Sequence, residues 1–250
     1  MPAYIEKKGR AGREACLQAE IMFNADELIS QSLTMPTERI SYRAKRFRYA
    51  LYRTCKRIFD VTASVLALSV FLLPMIIISI IIRITTGKPV IYKHKRVGKC
   101  GKNIYIYKFK SMIDTDKPLE KIFNEEQLEQ YRTMFKVHND PRITKFGGIL
   151  RKTSLDELPQ LLNIIKGDMS IVGPRPITSA EVEFYGANKK LLLSVTPGLT
   201  GYWQVNGRNA VSLEDRISLE LYYAKNQSAV LDLKIIFKTV LVVLKRTGAM

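Results

Sequence analysis

The sequence has little of several things. Its three cysteines, Cys16, Cys55 and Cys100, form no CxxC pair and no zinc-ligand spacing. That excludes a disulfide framework or zinc module and makes reduced thiols the simple reading. There are two histidines, His94 and His138, each isolated from any partner motif. A histidine-centred catalytic site therefore has little to build on. Acids are scarce: 23 Asp and Glu stand against 40 Lys and Arg, a formal charge of +17. A partner rich in negative charge follows, whether anionic lipid, nucleic acid or a phosphorylated substrate. Residues 1–50 lack the apolar run of a signal peptide. Gly98-x-x-Gly101 lacks the rest of a nucleotide-binding fingerprint and reads as a turn. The single tryptophan, Trp203, lies near Gly198 and Gly201 and reads first as a packing anchor, second as a base-stacking surface.

One long apolar run is present. Val61 to Ile82 carries no charged side chain over 22 residues, and a helix of that length covers roughly 30 Å, about a bilayer core. Pro74 sits within it and removes one helical hydrogen bond. Eight basic residues and no acids lie between Arg39 and Arg57; nine basic residues and no acids lie between Arg83 and Lys110. Lys and Arg beside membrane segments stay cytoplasmic, so a single crossing would place one strongly basic flank outside. A helix broken at Pro74 that enters and leaves by one face keeps both inside. The re-entrant arrangement is favoured over the spanning one, with anionic headgroups contributing about 1 kcal/mol per nearby basic residue.

The 250 residues suit one main domain with an appendage. Residues 1–38 read as a polar arm. Val90–Tyr92 and Ile104–Phe109 read as short strands, and Leu119–Tyr131 as an acidic helix. Ser154–Lys166, ending at Gly167, Glu181–Leu193 and Ser212–Lys225 read as helices. Leu231–Lys245 is apolar with Lys234, Lys238 and Lys245 on one side. It fits a core helix with a wet edge and a helix lying in the membrane interface equally well.

The densest polar cluster runs from Asp140 to Pro176, centred on Ser154-Leu155-Asp156-Glu157. A structural account is at hand: Ser at the N-cap and Glu three residues on make a capping box, with Asp156 complementing the helix dipole. The same geometry permits chemistry. A carboxylate held ionised by the dipole can attack phosphorus, and adjacent carboxylates can hold Mg²⁺ together with substrate phosphates. Arg142, Lys145, Arg151, Lys152 and Arg175 surround the pair in sequence. Prolines 174 and 176 fix the chain on both sides of Arg175.

Several ordered motifs resemble the bacterial sugar transferase family, the monotopic phosphoglycosyl transferases. They are KRIFD at 56–60, the Pro74 segment, RVGKCGKNIYIYKFKSM at 96–112 and DPRIT at 140–144. Further on come LRKTSLDELPQLLNIIKGDMSIVGPRP at 150–176, PGLTGYWQVNGRN at 197–209 and LDLKIIFKT at 231–239. The resemblance covers about Lys56 to Gly248. Its implied fold is α+β and predominantly helical: a polar, basic arm over 1–55, a proline-broken re-entrant helix over 56–88, and over 89–250 a small catalytic domain. That domain would carry short strands and interfacial amphipathic helices, on the cytosolic face of a bacterial inner membrane.

The implied reaction moves a sugar 1-phosphate from a UDP-sugar to undecaprenyl phosphate. Asp156 would be the nucleophile and UMP the leaving group. Asp156 and Glu157 would bind Mg²⁺, and Glu157 would assist with protons or metal. By motif match Lys108, Arg151, Arg175, Arg208 and Asp232 would lie in or near the active site, as substrate-binding residues. The product, undecaprenyl-diphosphate-sugar, would open assembly of a capsule, exopolysaccharide, O-antigen or other glycan and pass to downstream glycosyltransferases. Membrane phospholipids are expected partners and nucleic acid is not; homo-oligomerisation and the sugar are left open. Leu73 stands where many relatives have Ser, and His94 where many have Gln. Residues 1–55 do not resemble the five-helix membrane domain of longer relatives. The competing readings are a nucleotide-sugar hydrolase, a non-catalytic membrane-bound module for anionic ligands, and a spanning scaffold.

Overall fold

The computed structural model describes residues 36–115, 118–134, 137, 139–207 and 211–244. His138, Arg208, Lys245 and most of the polar arm lie outside the described residues.

Helix α1, Pro36–Thr85, is 50 residues long. Its segment Phe47–Thr85 is apolar and long enough to cross a membrane, yet only 11% of its most apolar window is buried by the protein itself. Leu66, Val70 and Leu73 are each about two-thirds exposed or more. A core helix of a soluble protein would hide such side chains, so this face needs another apolar phase to cover it. The helix begins well before Lys56, and it continues through Pro74 where helix, break and helix were expected. Proline removes one hydrogen bond and can bend a helix without ending it.

The chain beyond α1 is α+β and mainly helical. Strands β1 (Ile91–Val97) and β2 (Asn103–Phe109) form an antiparallel hairpin, with Lys93 opposite Tyr107 and Tyr92 opposite Lys108. The turn between them is closed by the Gly98 N–H donating to the Lys102 carbonyl, as the Gly98-x-x-Gly101 spacing suggests. Helices α2 (Glu125–Met134) and α3 (Lys145–Thr153) follow. Then come a 3₁₀ turn over Leu155–Glu157 and α4 (Gln160–Lys166). Strand β3 (Ser170–Val172) pairs in parallel with β4 (Gly198–Thr200), making a second two-stranded sheet. Between them lie a 3₁₀ segment, Glu181–Asn188, and α5, Lys189–Leu193. The sequence reads one helix there; Gly186, at φ +47°, divides it. Helices α6 (Tyr202–Asn206), α7 (Leu213–Lys225) and α8 (Ala229–Leu244) complete the order.

Both halves of α1 pack on this domain. Before Pro74, Ala67 and Leu68 meet Leu161, Ile164 and Met169. After it, Met75, Ile78 and Ile82 meet Phe109 and Leu150. Polar anchors add direction. Asp60 accepts from the Ser170 hydroxyl (2.7 Å) and the Ile171 N–H (3.0 Å). Arg57 donates to the Ile164 and Ile165 carbonyls at the end of α4. The KRIFD motif is thus largely a docking clasp. Cys55 is a free, exposed thiol.

Candidate active site

The site is built where α3 stops. Thr144 caps its start by accepting the Gly147 N–H at 2.8 Å. Its end is closed by Ser154 in the left-handed conformation, φ +58°, whose N–H donates back to the Arg151 carbonyl. The expected capping box is therefore absent: the Ser154 side chain makes no cap bond, and Ser154 ends one helix rather than opening a 13-residue one. The chain instead turns through the 3₁₀ residues Leu155, Asp156 and Glu157, then enters α4 behind Pro159. Gly167, at φ +88°, ends α4 as expected.

This turn separates two adjacent carboxylates. Asp156 is 8% exposed. Burial pushes its carboxyl up to about 6, against the pull of Lys108 and Arg151 and with the help of Glu157's charge. A helix dipole would pull the carboxyl below its usual range; the fold instead raises it, while leaving it largely ionised near neutral pH. Glu157 receives the Lys108 ammonium at 2.5 Å. Burial alone would raise Glu157; Lys108, Arg175 and the Gln160 side chain outweigh it and hold the group below the usual carboxylate range. Two neighbouring acids are thus driven apart in acidity.

The cations come from three elements. Lys108 stands on β2. Arg151, in the last turn of α3, is aimed by donating its Nε–H to the Ser111 hydroxyl at 2.9 Å. Arg175 follows β3 on a loop fixed by close backbone crossing: the Gly173 N–H donates to Thr200 O, and the Gly198 N–H donates to Pro174 O. A Cβ at Gly198 would lie 2.1 Å from the Gly173 nitrogen, so that position admits no side chain. The GPRP and PGLTG motifs meet at this crossing. His94 is half-buried beside Arg96, Lys108 and Arg175; burial first, then those cations, lower its pKa to about 4. It is not isolated, as the sequence suggests, but a neutral ring among charges.

Other expected residues sit elsewhere. Asp232 accepts from Tyr52 (2.8 Å), Lys56 (2.7 Å) and Tyr223 (2.7 Å), tying α8 to α1 and α7, and makes no bond to Asp156 or Glu157. Arg142 is committed to Asp140 through a bidentate contact. Lys145 and Lys152 are exposed. Sequence reasoning missed Ser111, Gln160 and the acids Glu181 and Glu220. An acid between Leu219 and Leu221 on an apolar helical pattern is the signal available for Glu220.

The carboxylates suit a hard cation. Asp156 is a buried acid whose carboxylate is met by its own backbone amide, and Glu157 is beside it. No cluster of three or more His, Cys, Asp or Glu occurs among the described residues. Mg²⁺ held by these two carboxylates would draw its remaining ligands from substrate phosphates and water, its usual habit.

Unequal paired acids faced by Lys and Arg, on a small domain clasped to an unburied apolar helix, mark a membrane-associated protein with a cationic site built around two carboxylates. The chain belongs to the bacterial sugar transferase family, whose model matches residues 51–246. It is 44% identical over 200 residues to the UDP-galactose-lipid carrier transferase of Erwinia amylovora, covering 79% of this chain and 42% of that protein. It is 44% identical over 188 residues to the exopolysaccharide production protein ExoY of Rhizobium meliloti, covering 74% and 83%. It is 44% identical over 201 residues to the undecaprenyl-phosphate galactose phosphotransferase of Salmonella typhimurium, covering 79% and 42%. The chain thus spans about two-fifths of the length of the Erwinia and Salmonella relatives.

Proposed function

We propose that this protein transfers a sugar 1-phosphate from a UDP-sugar to undecaprenyl phosphate at the cytosolic face of a bacterial inner membrane. The observation that carries the reading is the buried Asp156 beside a Glu157–Lys108 pair, with Arg151 and Arg175 around it. The names of the relatives support the donor and acceptor classes.

In the first step an Asp156 carboxylate oxygen attacks the sugar-linked phosphorus of the donor. A bond forms from that oxygen to phosphorus, and the bond from phosphorus to the bridging oxygen breaks. UMP leaves with the electron pair, and the sugar phosphate remains as an acyl phosphate. In the second step an oxygen of undecaprenyl phosphate attacks the same phosphorus, and the Asp156 carboxylate is released. Lys108, Arg151 and Arg175 neutralise charge and orient phosphate oxygens, which is most of what phosphoryl transfer asks of a protein. Mg²⁺ held by Asp156 and Glu157 would supply further charge neutralisation. ExoY makes exopolysaccharide assembly the first pathway to test, and galactose is the first sugar.

Membrane topology enters the same proposal. Both ends of the apolar stretch of α1 rest on one domain, through Asp60 at one end and Ile82 at the other. That supports both basic flanks lying on the cytosolic side, with α1 bent at Pro74 and dipping into one leaflet. The exposed Val230, Leu233, Phe237 and Val240 of α8, with exposed Lys234 and Lys238 beside them, support that helix lying in the interface.

The test is UMP release by the membrane-extracted full chain with Mg²⁺, undecaprenyl phosphate and a set of UDP-sugars. Release that requires the lipid, and that vanishes in Asp156→Asn, is expected. Release without lipid would make the protein a nucleotide-sugar hydrolase. Unchanged release by Asp156→Asn would overturn the covalent route.

A further inference from the structure

Behind Arg175 lies a second set of charges that the reaction above does not use. Glu181 accepts from Arg96 at 3.0 Å and from the Thr178 N–H at 2.7 Å, and forms an ion pair with Arg216 at 3.8 Å. Glu220, on α7, is 1% exposed. It receives the Tyr185 hydroxyl and, at 3.5 Å, the Arg216 Nε–H. The backbone N–H of Arg175 also lies against this carboxylate. Arg216 in turn lies over the Trp203 ring, 4.8 Å from its centre, so it is held from two sides.

The sequence makes the Arg175 amide special. Pro174 and Pro176 carry no N–H, so Arg175 offers the sole backbone donor of the Pro-Arg-Pro segment. The Pro174 carbonyl is taken by Gly198, which fixes one side of the segment. Glu220 is the buried acceptor on the other side. The Arg175 side chain meanwhile has no hydrogen-bonded partner among the described residues, although its charge acts on Glu157, His94 and Glu220. Arg96 and Arg216 are held by acids. Arg175 is left available.

We infer that Glu220 is a positioning residue: with Tyr185 and Arg216 it holds the Arg175 backbone so that the free guanidinium faces the Asp156–Glu157 turn and receives donor phosphate. The inference rests on the proposed transferase activity for its kinetic consequence, but not for its structural one. Burial makes this carboxyl costly to ionise and holds it above the usual range, and Tyr185, Arg216 and the Arg175 amide each offset part of that cost.

The experiment uses the full chain in detergent with UDP-galactose and undecaprenyl phosphate, and has two arms. The first is hydrogen exchange at the Arg175 amide in wild type, Glu220→Gln and Tyr185→Phe. Protection in wild type, reduced about tenfold or more in Glu220→Gln while other protected amides of β3 and α4 are unchanged, is expected. Equal protection in wild type and variant, or an unprotected amide in wild type, would overturn the inference. This arm holds whether or not the protein turns over. The second arm compares kcat/KM for Glu220→Gln, Arg175→Ala and the double variant. A loss of about tenfold from Glu220→Gln that falls below about twofold in the Arg175→Ala background is expected, because a residue acting through Arg175 has nothing left to position. Additive losses would reduce Glu220 to a packing role. Absence of UMP release by wild type would rule out UDP-galactose as the donor and leave the exchange arm to decide the positioning.

Discussion

At Asp156 burial and charge pull in opposite directions, and burial wins. A folded-state pKa of about 6 lies above the ordinary carboxylate value, so the ionised group opposes folding. That penalty is complete above about pH 6, fades as pH falls and is gone below the unfolded value. In metal-free protein Asp156→Asn should therefore be more stable than wild type at pH 8, by up to about 3 kcal/mol, and no more stable near pH 3. Denaturant midpoints at the two pH values check this. Lys108 lowers the same pKa, so Lys108→Met should move the Asp156 titration, followed by carboxyl NMR, to higher pH. The sequence marks these two acids and misreads the local geometry that holds them. Ser-x-x-Glu spacing is shared by a capping box and by a 3₁₀ turn that follows a helix end, and nothing within four residues separates them. The left-handed φ of Ser154 does separate them, and it depends on where α3 stops. His94 and Glu220 show the same limit: their neighbours come from distant parts of the chain.

Elements set by local chemistry are the ones best read in advance. Ser212 caps α7 by accepting the Asp215 N–H at 3.1 Å, and Gly167 ends α4; both signals lie within a turn of the helix they bound. β1 was legible only as far as Tyr92, because Lys93, Lys95 and Arg96 resemble a membrane flank more than a strand. Asp232 was legible as a special residue but not as a clasp, since Tyr52 and Lys56 lie on the far end of the chain. The crossing of β3 and β4 gives the sharpest test at this scale. Gly198→Ala must push apart two backbones in contact, so it should greatly lower the yield of folded protein, whereas Gly87→Ala meets open space and pays only for its positive φ. Size-exclusion profiles of the two variants decide it. Asp60→Ala leaves the Ser170 hydroxyl and the Ile171 N–H without their acceptor, at about 1–3 kcal/mol for each buried group stranded. Its thermal midpoint in detergent should fall by several degrees with the Asp156–Glu157 turn unchanged.

For the whole molecule the decisive question is which face of the membrane each end of α1 meets. A straight crossing has length and hydropathy in its favour. Against it stand two facts of different kinds. The basic residues before Arg57 and after Arg83 would have to be split across the bilayer, contrary to the positive-inside tendency. The domain that binds Asp60 also binds Ile78 and Ile82, so it would have to follow α1 through the apolar phase. A bend at Pro74 removes both difficulties, at the cost of the one helical carbonyl that the proline leaves without its donor. Cys55 is a native reporter for the first flank, being free and exposed, and Lys88→Cys supplies one for the second. A membrane-impermeant maleimide, with labelled peptides mapped by mass, should reach both thiols in inverted vesicles and neither in intact spheroplasts. Labelling of the two from opposite faces would establish a crossing helix. It would also require the Asp60–Ser170 bond or the Ile82 packing to be given up in the membrane, and hydrogen exchange at Ile171 would then show which contact had been lost.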